Sequence, residues 1–178
     1  PDVATIVSNA MELAEIELRR NHVRLSHYIA ARLPKIMVDP ILIEQVLINL
    51  MKNAAESIAQ AQRFTAQRSV ELRVVPKTID SQQVVEFSVS DSGRGLSPEV
   101  MSRLFEAFYS TKAEGMGIGL KLCRSIVESH QGRLEAVNLY NSDEVVCCRF
   151  TFWIPVAPLF TTAASATDTV ATKDADAH

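Results

Sequence analysis

Two asparagines lie one helical turn apart in a segment that has the apolar pattern of a long helix. Asn49 and Asn53 are separated by four residues, so their amide groups face the same side of that helix. Val46, Leu47 and Leu50 supply an apolar face beside them. An amide oxygen in such a place can bind a hard cation such as Mg²⁺, which also keeps waters and takes phosphate oxygens. Taken alone, the pair also fits the solvated polar flank of an amphipathic helix.

A carboxylate and two glycines follow a predicted strand. Asp91 ends that strand, and Gly93 and Gly95 come two and four residues later. A carboxylate at a strand end can accept a hydrogen bond from an exocyclic amine such as that of adenine. The glycines allow the backbone to pass close to a flat ligand or to adopt a positive φ. The alternative is an ordinary Asp-Ser-Gly turn, because short glycine patterns are common.

The segment from Phe105 to Lys112 contains three aromatic residues followed by polar ones. Phe105, Phe108 and Tyr109 are predicted to anchor the base of a mobile loop. Thr111 and Lys112 follow them and offer a hydroxyl and a cation to whatever that loop covers.

A second glycine-rich stretch opens a second long helix. Gly115, Gly117 and Gly119 precede an apolar helical pattern, and such a helix start presents free N–H groups and the positive end of the helix dipole to phosphate. No Gly-Lys-Ser/Thr follows, so this is not a Walker loop. The stretch follows a loop and not a strand, which also argues against a dinucleotide-binding fingerprint.

Apolar periodicity and turn residues predict the elements that position these groups. The last predicted strand alternates cleanly, which gives it one buried face. Gly132 is predicted to end the second long helix in a left-handed cap. The order of elements predicts a two-layer α/β domain, in which a mixed sheet carries three main helices on one face. The predicted helices span about residues 2–21, 40–62 and 117–130, with a short one after residue 97, and the predicted strands span 23–30, 70–75, 84–91, 133–139 and 144–155.

The composition is that of one globular domain. The chain has 178 residues, 47% of them hydrophobic and 22% charged. A net charge of −3 without a Lys/Arg run argues against a nucleic-acid partner, and no apolar run is long enough to predict membrane contact. Three cysteines without metal-ligand spacing, and no secretion signal, favour a cytoplasmic location. Because the chain begins with Pro1, we expect it to be part of a longer protein.

In this order, the four segments resemble the N box, first glycine box, F box and second glycine box of histidine kinase catalytic domains. Those domains share an ATPase superfamily with gyrase, the mismatch-repair ATPases and the heat-shock chaperone ATPases. The resemblance covers residues 23–155, and the short insert between Lys112 and Gly115 is most similar to the nitrogen- and oxygen-sensing branch. It implies the Bergerat-type ATP-binding fold, with ATP and Mg²⁺ held between two long helices under a lid.

The resemblance also implies a role for each matching residue. Asn53 is the implied Mg²⁺ ligand, Asn49 is implied to line the phosphates and act in catalysis, and Asp91 is the implied adenine-binding residue. Many kinases carry a basic residue three positions after the metal asparagine, but this chain has Glu56 there and Lys52 before Asn53, which leaves open which lysine reaches the phosphates. The remaining implied contacts are Gly93, Gly95 and Leu96 beside the base, Thr111 and Lys112 from the lid, and Gly115, Gly117, Ile118, Gly119 and Leu120 as hinge and phosphate cradle.

One difference from the ATP-hydrolysing members of the superfamily indicates the type of ATP chemistry. Superfamily members that hydrolyse ATP carry a glutamate four residues before the metal asparagine, where Asn49 stands here and cannot take a proton from water. The resemblance therefore implies phosphoryl transfer to a histidine. None of the four histidines (His22, His27, His130 and His178) is followed by the family's acceptor pattern.

The implied organisation places the missing functions on other domains. Residues 1–21 are read as a connecting helix from a phosphoacceptor hairpin, residues 22–157 as the catalytic domain, and residues 158–178 as a low-complexity tail. The implied partners are the phosphoacceptor histidine domain of the same kinase, a response regulator and a second copy of the full-length kinase. A regulatory module without transfer activity and a serine-directed kinase of the same superfamily stay open as alternatives.

Overall fold

Nine helices and strands make up the part of the chain that the structure, a computed structural model, describes. The described residues are 2–60, 68–93, 95, 97–105, 119–141 and 144–158. In chain order the elements are α1 (Val3–Arg20), β1 (Arg24–Ile29), α2 (Pro40–Gln60), β2 (Ser69–Ile79), β3 (Gln82–Asp91), α3 (Pro98–Arg103), α4 (Gly119–Ser129), β4 (Arg133–Asn141) and β5 (Glu144–Pro155).

Local sequence signals fix the start of α2. The Asp39 carboxylate accepts hydrogen bonds from the backbone N–H groups of Ile41 at 3.0 Å and Leu42 at 3.3 Å, which would otherwise lack partners. Pro40 fills the first helical position, where a missing N–H costs nothing. Ser97 caps the short helix α3 in the same way. Both predicted helix starts are confirmed.

The five strands form one mixed sheet in the order β1-β2-β3-β5-β4. β1 runs parallel to β2, and the other neighbouring pairs are antiparallel. Asp80 and Ser81 join β2 to β3 with positive φ angles of 48° and 65°, the backbone that a tight two-residue hairpin requires. β3 is the central strand, so its last residue, Asp91, is enclosed by β2 and β5 on both sides.

Three helices cover one face of this sheet, as predicted. α2 lies at the centre of the layer and packs against α1, α4 and β3. Alternate residues of β5 face this layer, and Phe152 stacks on Phe87 of β3 with ring centroids 4.7 Å apart. α1 shares the same core through its buried side chains Val3, Ile6, Val7, Ala10, Ala14 and Leu18. Its role as a connection to a phosphoacceptor hairpin stays a prediction.

The end of α4 differs from the prediction in one respect. The residue in the left-handed conformation is Gln131, with φ 62°, and not Gly132. A Cβ atom at Gly132 would overlap the carbonyl oxygen of Trp153 on β5. The glycine is therefore required by the close approach of a neighbouring strand, a tertiary contact, while Gln131 takes the backbone strain of the cap.

Candidate nucleotide site

A row of three polar side chains runs along α2. Asn49, Asn53 and Ser57 follow each other at intervals of four residues, and all three are half-buried at the border of the buried face of the helix. The predicted alignment of the two asparagines is confirmed. Ser57, which the sequence analysis did not single out, continues the row, and the same helical spacing could have identified it.

One end of the row meets α4. The Asn49 amide nitrogen donates to the buried Cys123 thiol at 3.6 Å, and its oxygen accepts from Gln45 at 3.4 Å. Burial raises the pKa of the Cys123 thiol to about 11, so the sulfur carries its proton. Asp39 directly precedes α2, ten residues before Asn49, and it contacts His130, which directly follows α4, seven residues after Cys123. The two helices are therefore antiparallel, and the N-terminus of α4 points toward Asn53, in the middle of the row.

His130 joins the other ends of these two helices. Its Nδ1 lies 2.7 Å from the carbonyl oxygen of Ile126, and its Nε2 lies 3.1 Å from the backbone nitrogen of Asp39. The carbonyl can only accept and the backbone N–H can only donate, so the ring proton belongs on Nδ1 and Nε2 is the acceptor. Both ring nitrogens are thus engaged: Nδ1 fixes the ring against the last turn of α4, and Nε2 holds it to the start of α2.

The far end of the row meets the carboxylate of Asp91. That side chain is only 4% exposed, and it accepts a hydrogen bond from the backbone N–H of Gly93 at 2.8 Å. Burial raises the pKa of Asp91 from 3.8 to about 6, although the backbone N–H groups of Gly93 and Cys148 act in the opposite direction. A carboxyl group held this deep at the end of a central strand is typical of a ligand site.

Gly93 lies where a side chain cannot fit. A Cβ atom there would stand 2.6 Å from the hydroxyl oxygen of Ser57 and 2.7 Å from Oδ1 of Asp91. The backbone at Gly93 therefore fills the space between α2 and the end of β3. Gly95 adopts a φ of 74°, the left-handed region that favours glycine. The positive φ predicted for this pair is thus confirmed at Gly95, while close passage of a ligand stays a prediction.

The structure gathers part of the predicted set. Asn49, Asn53, Asp91 and Gly93 lie along one border between α2, α4 and β3, whereas Lys52 is exposed to solvent. Gly119 and Leu120 begin α4, and Leu120 packs against the core. Leu96, Thr111, Lys112, Gly115, Gly117 and Ile118 lie outside the described residues, so their assignments stay predictions.

An aromatic residue ties the segment after α3 to the second long helix. The Arg124 guanidinium of α4 lies 5.1 Å from the ring centroid of Phe105, which is partly buried against the core. The predicted role of Phe105 as the anchor of a loop stays a prediction, because the residues that follow it lie outside the described ones. Phe108 and Tyr109 lie outside the described residues.

Comparison with known proteins decides the family. Residues 38–158 match the family described as histidine kinase-, DNA gyrase B-, and HSP90-like ATPase, and this match covers well over half of the chain. The chain belongs to this ATPase family. It is 39% identical over 133 residues to the C4-dicarboxylate transport sensor protein DctS of Rhodobacter capsulatus, and 35% identical over 155 residues to the sensor protein FixL of Bradyrhizobium diazoefficiens.

These alignments cover most of this chain but a small part of the relatives. They span 75% and 87% of the chain, but only 19% of DctS and 28% of FixL. Among solved structures, the catalytic domain of histidine kinase ThkA is similar, with a TM-score of 0.67 at 26% identity over 87% of this chain and 93% of that one. The mycobacterial sensor histidine kinase MprB shares the fold, with a TM-score of 0.70 at 18% identity over 89% of this chain and 99% of that one.

The histidine kinase-type domain identified here thus has the predicted fold. Its mixed five-stranded sheet under a helical layer corresponds to that of the histidine kinase catalytic domains, and its relatives are two-component sensor kinases. In the described part of the chain, no helix is both long and apolar enough to cross a membrane.

Proposed function

We propose that this domain binds ATP with Mg²⁺ along the polar row of α2 and donates the γ-phosphate to a histidine on a separate phosphoacceptor domain of the same kinase. The observation that carries the proposal is the buried Asp91 carboxylate at the Ser57 end of the row, with the N-terminus of α4 directed toward Asn53 at its middle. The Ser57 end thus suits a base, and the middle of the row suits phosphates.

Asp91 is the proposed adenine contact. A carboxylate offers about four acceptor positions, and the N–H groups of Gly93 and Cys148 supply two donors. The exocyclic amine of adenine can supply a further donor, which would stabilise the ionised form against the cost of its burial. Because Gly93 has no side chain, no Cβ atom crowds Oδ1 of this carboxylate.

The phosphates and Mg²⁺ are proposed to lie at the middle of the row. Asn53 sits there with an amide, whose neutral oxygen is a ligand type that Mg²⁺ accepts together with phosphate oxygens and water. When bound, the ion would neutralise phosphate charge during transfer. The N-terminus of α4 offers backbone N–H groups to the same phosphates. Thr111 and Lys112 are proposed lid contacts on the basis of the family resemblance.

Transfer to histidine is favoured over hydrolysis because the row lacks a general base. Asn49 occupies the position of the hydrolytic glutamate, and its amide is engaged with Gln45 and Cys123. It cannot remove a proton from water. A neutral imidazole needs no such deprotonation before it attacks phosphorus. His130 is a poor acceptor, because both of its ring nitrogens already have partners.

Partners follow from this assignment. The proposed acceptor is the phosphoacceptor hairpin of the same kinase, and the proposed next recipient is a response regulator. The full-length kinase is proposed to be a homodimer, as the family resemblance implies.

Radiolabelled ATP tests the proposal with this chain alone, the parent's phosphoacceptor hairpin alone, and both mixed at high concentration. High concentration compensates for the loss of the effective concentration that a shared chain provides. We expect label only in the mixture, only on the hairpin, and with the acid-labile, base-stable character of phosphohistidine. Stoichiometric labelling of this chain by itself would contradict the proposal.

A further inference from the structure

Ser57 places a hydroxyl group beside the carboxylate of Asp91. Its oxygen and Oδ1 of Asp91 lie 2.6 Å and 2.7 Å from one common point, the position that a Cβ atom of Gly93 would take. Ser57 is half-buried, and its hydroxyl makes no hydrogen bond to any residue that the structure describes. Two oxygens of different chemistry, one from α2 and one from β3, therefore both lie close to the backbone of Gly93.

We propose that Ser57 is a second base-reading residue, whose hydroxyl donates to the ring nitrogen next to the exocyclic amine of adenine, either directly or through one water. This inference deepens the proposed function and rests on it, because it assumes that adenine occupies the space beside Asp91. It assigns to the site a specificity-determining residue on α2, one turn beyond Asn53.

The chemistry of the two side chains explains why a pair is needed. The exocyclic amine of adenine is a donor, and the adjacent ring nitrogen is an acceptor, so this edge of the base demands one acceptor and one donor from the protein. An ionised carboxylate such as Asp91 only accepts, whereas a serine hydroxyl can donate. Guanine presents a carbonyl and a ring N–H at the same two positions. The pair therefore matches adenine and opposes guanine at both atoms.

A purely spatial role for Ser57 makes a different prediction. A small side chain at this position also leaves room for Gly93, and an alanine would serve that purpose equally well. Only the hydroxyl can distinguish a base with the ring nitrogen from one in which a C–H group replaces it.

The test compares ATP with 1-deaza-ATP, which keeps the exocyclic amine but lacks that ring nitrogen. Calorimetry gives both dissociation constants for the unmodified domain, Ser57→Ala, Ser57→Thr and Asp91→Asn. We expect Ser57→Ala to weaken ATP by about five- to tenfold, the usual effect of one lost hydrogen bond, and to leave 1-deaza-ATP unchanged. Ser57→Thr retains a hydroxyl and should restore the preference for ATP. Asp91→Asn should weaken both nucleotides, because both carry the amine.

The ratio of the two dissociation constants within each variant decides the outcome, because it does not depend on how much of a variant is folded. A ratio that is unchanged in Ser57→Ala, or that falls equally in Ser57→Ala and Ser57→Thr, would overturn the inference while leaving ATP binding intact. Failure of the unmodified domain to bind ATP would instead overturn the proposed function.

Discussion

The two ends of α2 show how similar residues acquire different roles. At its start, Asp39 caps the helix with its carboxylate and donates its backbone N–H to His130, so the polar groups of that junction satisfy each other. Toward its other end, Ser57 lies beside a carboxylate, that of Asp91, which burial holds at a raised pKa. Both junctions contain an aspartate, but the Asp39 carboxylate is exposed to solvent, whereas the buried Asp91 carboxylate lies beside a half-buried hydroxyl group, as suits a ligand site.

Replacing the proposed metal ligand should produce the largest effect. Asn53→Ala is expected to weaken Mg²⁺-dependent ATP binding by at least about a hundredfold, since even indirect partners of a metal contribute tenfold to a hundredfold. Calorimetry with and without Mg²⁺ measures this effect. Lys52→Ala, on the exposed side of the same turn, tests separately whether that lysine reaches the phosphates. Equal affinities for Asn53→Ala and the unmodified domain would remove Asn53 from the site.

Asp91→Asn and Asp39→Asn compare the two junctions directly. We expect Asp91→Asn to weaken ATP binding by about 1–3 kcal/mol, the cost of a charge-assisted hydrogen bond in a buried site. GTP should be affected much less, because guanine has a carbonyl in place of the amine. Asp39→Asn should leave both affinities unchanged, because asparagine also caps helices well. If ATP and GTP lost affinity equally in Asp91→Asn, the role of Asp91 would be structural.

The raised pKa of Asp91 predicts opposite effects of pH on stability and binding. The pKa rises from 3.8 in the unfolded chain to about 6 in the folded domain, so the folded state holds the proton more tightly. Stability from this group is therefore fully present below pH 3.8 and is lost as pH rises through 6. Above that pH, Asp91→Asn should be more stable than the unmodified domain by about 2–3 kcal/mol without nucleotide.

The effect of pH on ATP binding should be the opposite, because the ionised carboxylate accepts from the adenine amine more strongly than the protonated one does. Affinity should fall as pH drops below about 6, and Asp91→Asn should abolish this dependence. Urea denaturation and calorimetry across this pH range, each compared between the unmodified domain and Asp91→Asn, measure both effects. A pH dependence of binding that survives in the variant would assign it to another group.

Much of the fold was predictable because its signals are local. The Asp39-Pro40 cap, the alternation along β5 and the polar turn at Asp80 depend on residues close together in the chain. The order of the four boxes also located Asp91 and both asparagines. What sequence reasoning could not provide is which residues meet across elements. Ser57 lies 34 positions before Asp91 in the chain, and its place beside that carboxylate depends on how α2 crosses the end of β3.

Gly132 illustrates the same limit from the opposite direction. Its type and position fit a left-handed helix end, but Gln131 takes that conformation, and the glycine is needed because Trp153 of β5 passes too close for a side chain. The rule for helix ends thus predicted the correct end of α4, although the glycine itself is required by a tertiary contact. The neighbouring strand that imposes the requirement is about twenty positions further along the chain.

The smallest effect on ATP binding is expected at the junction between the start of α2 and the end of α4. His130→Ala removes a hydrogen bond to the Ile126 carbonyl and leaves the Asp39 N–H without its acceptor, which should lower the free energy of unfolding by about 1–2 kcal/mol. ATP affinity should not change, because the contact lies ten residues from Asn49 on α2 and seven from Cys123 on α4. Urea denaturation measures the first quantity and calorimetry the second. His130→Gln, which can accept from the Asp39 N–H through its amide oxygen, is the matched variant and should recover part of the stability. A large loss of ATP affinity in His130→Ala, without unfolding, would contradict this prediction. It would show that the packing of α2 against α4 couples the His130 contact to the polar row, so that the two ends of α2 are not independent.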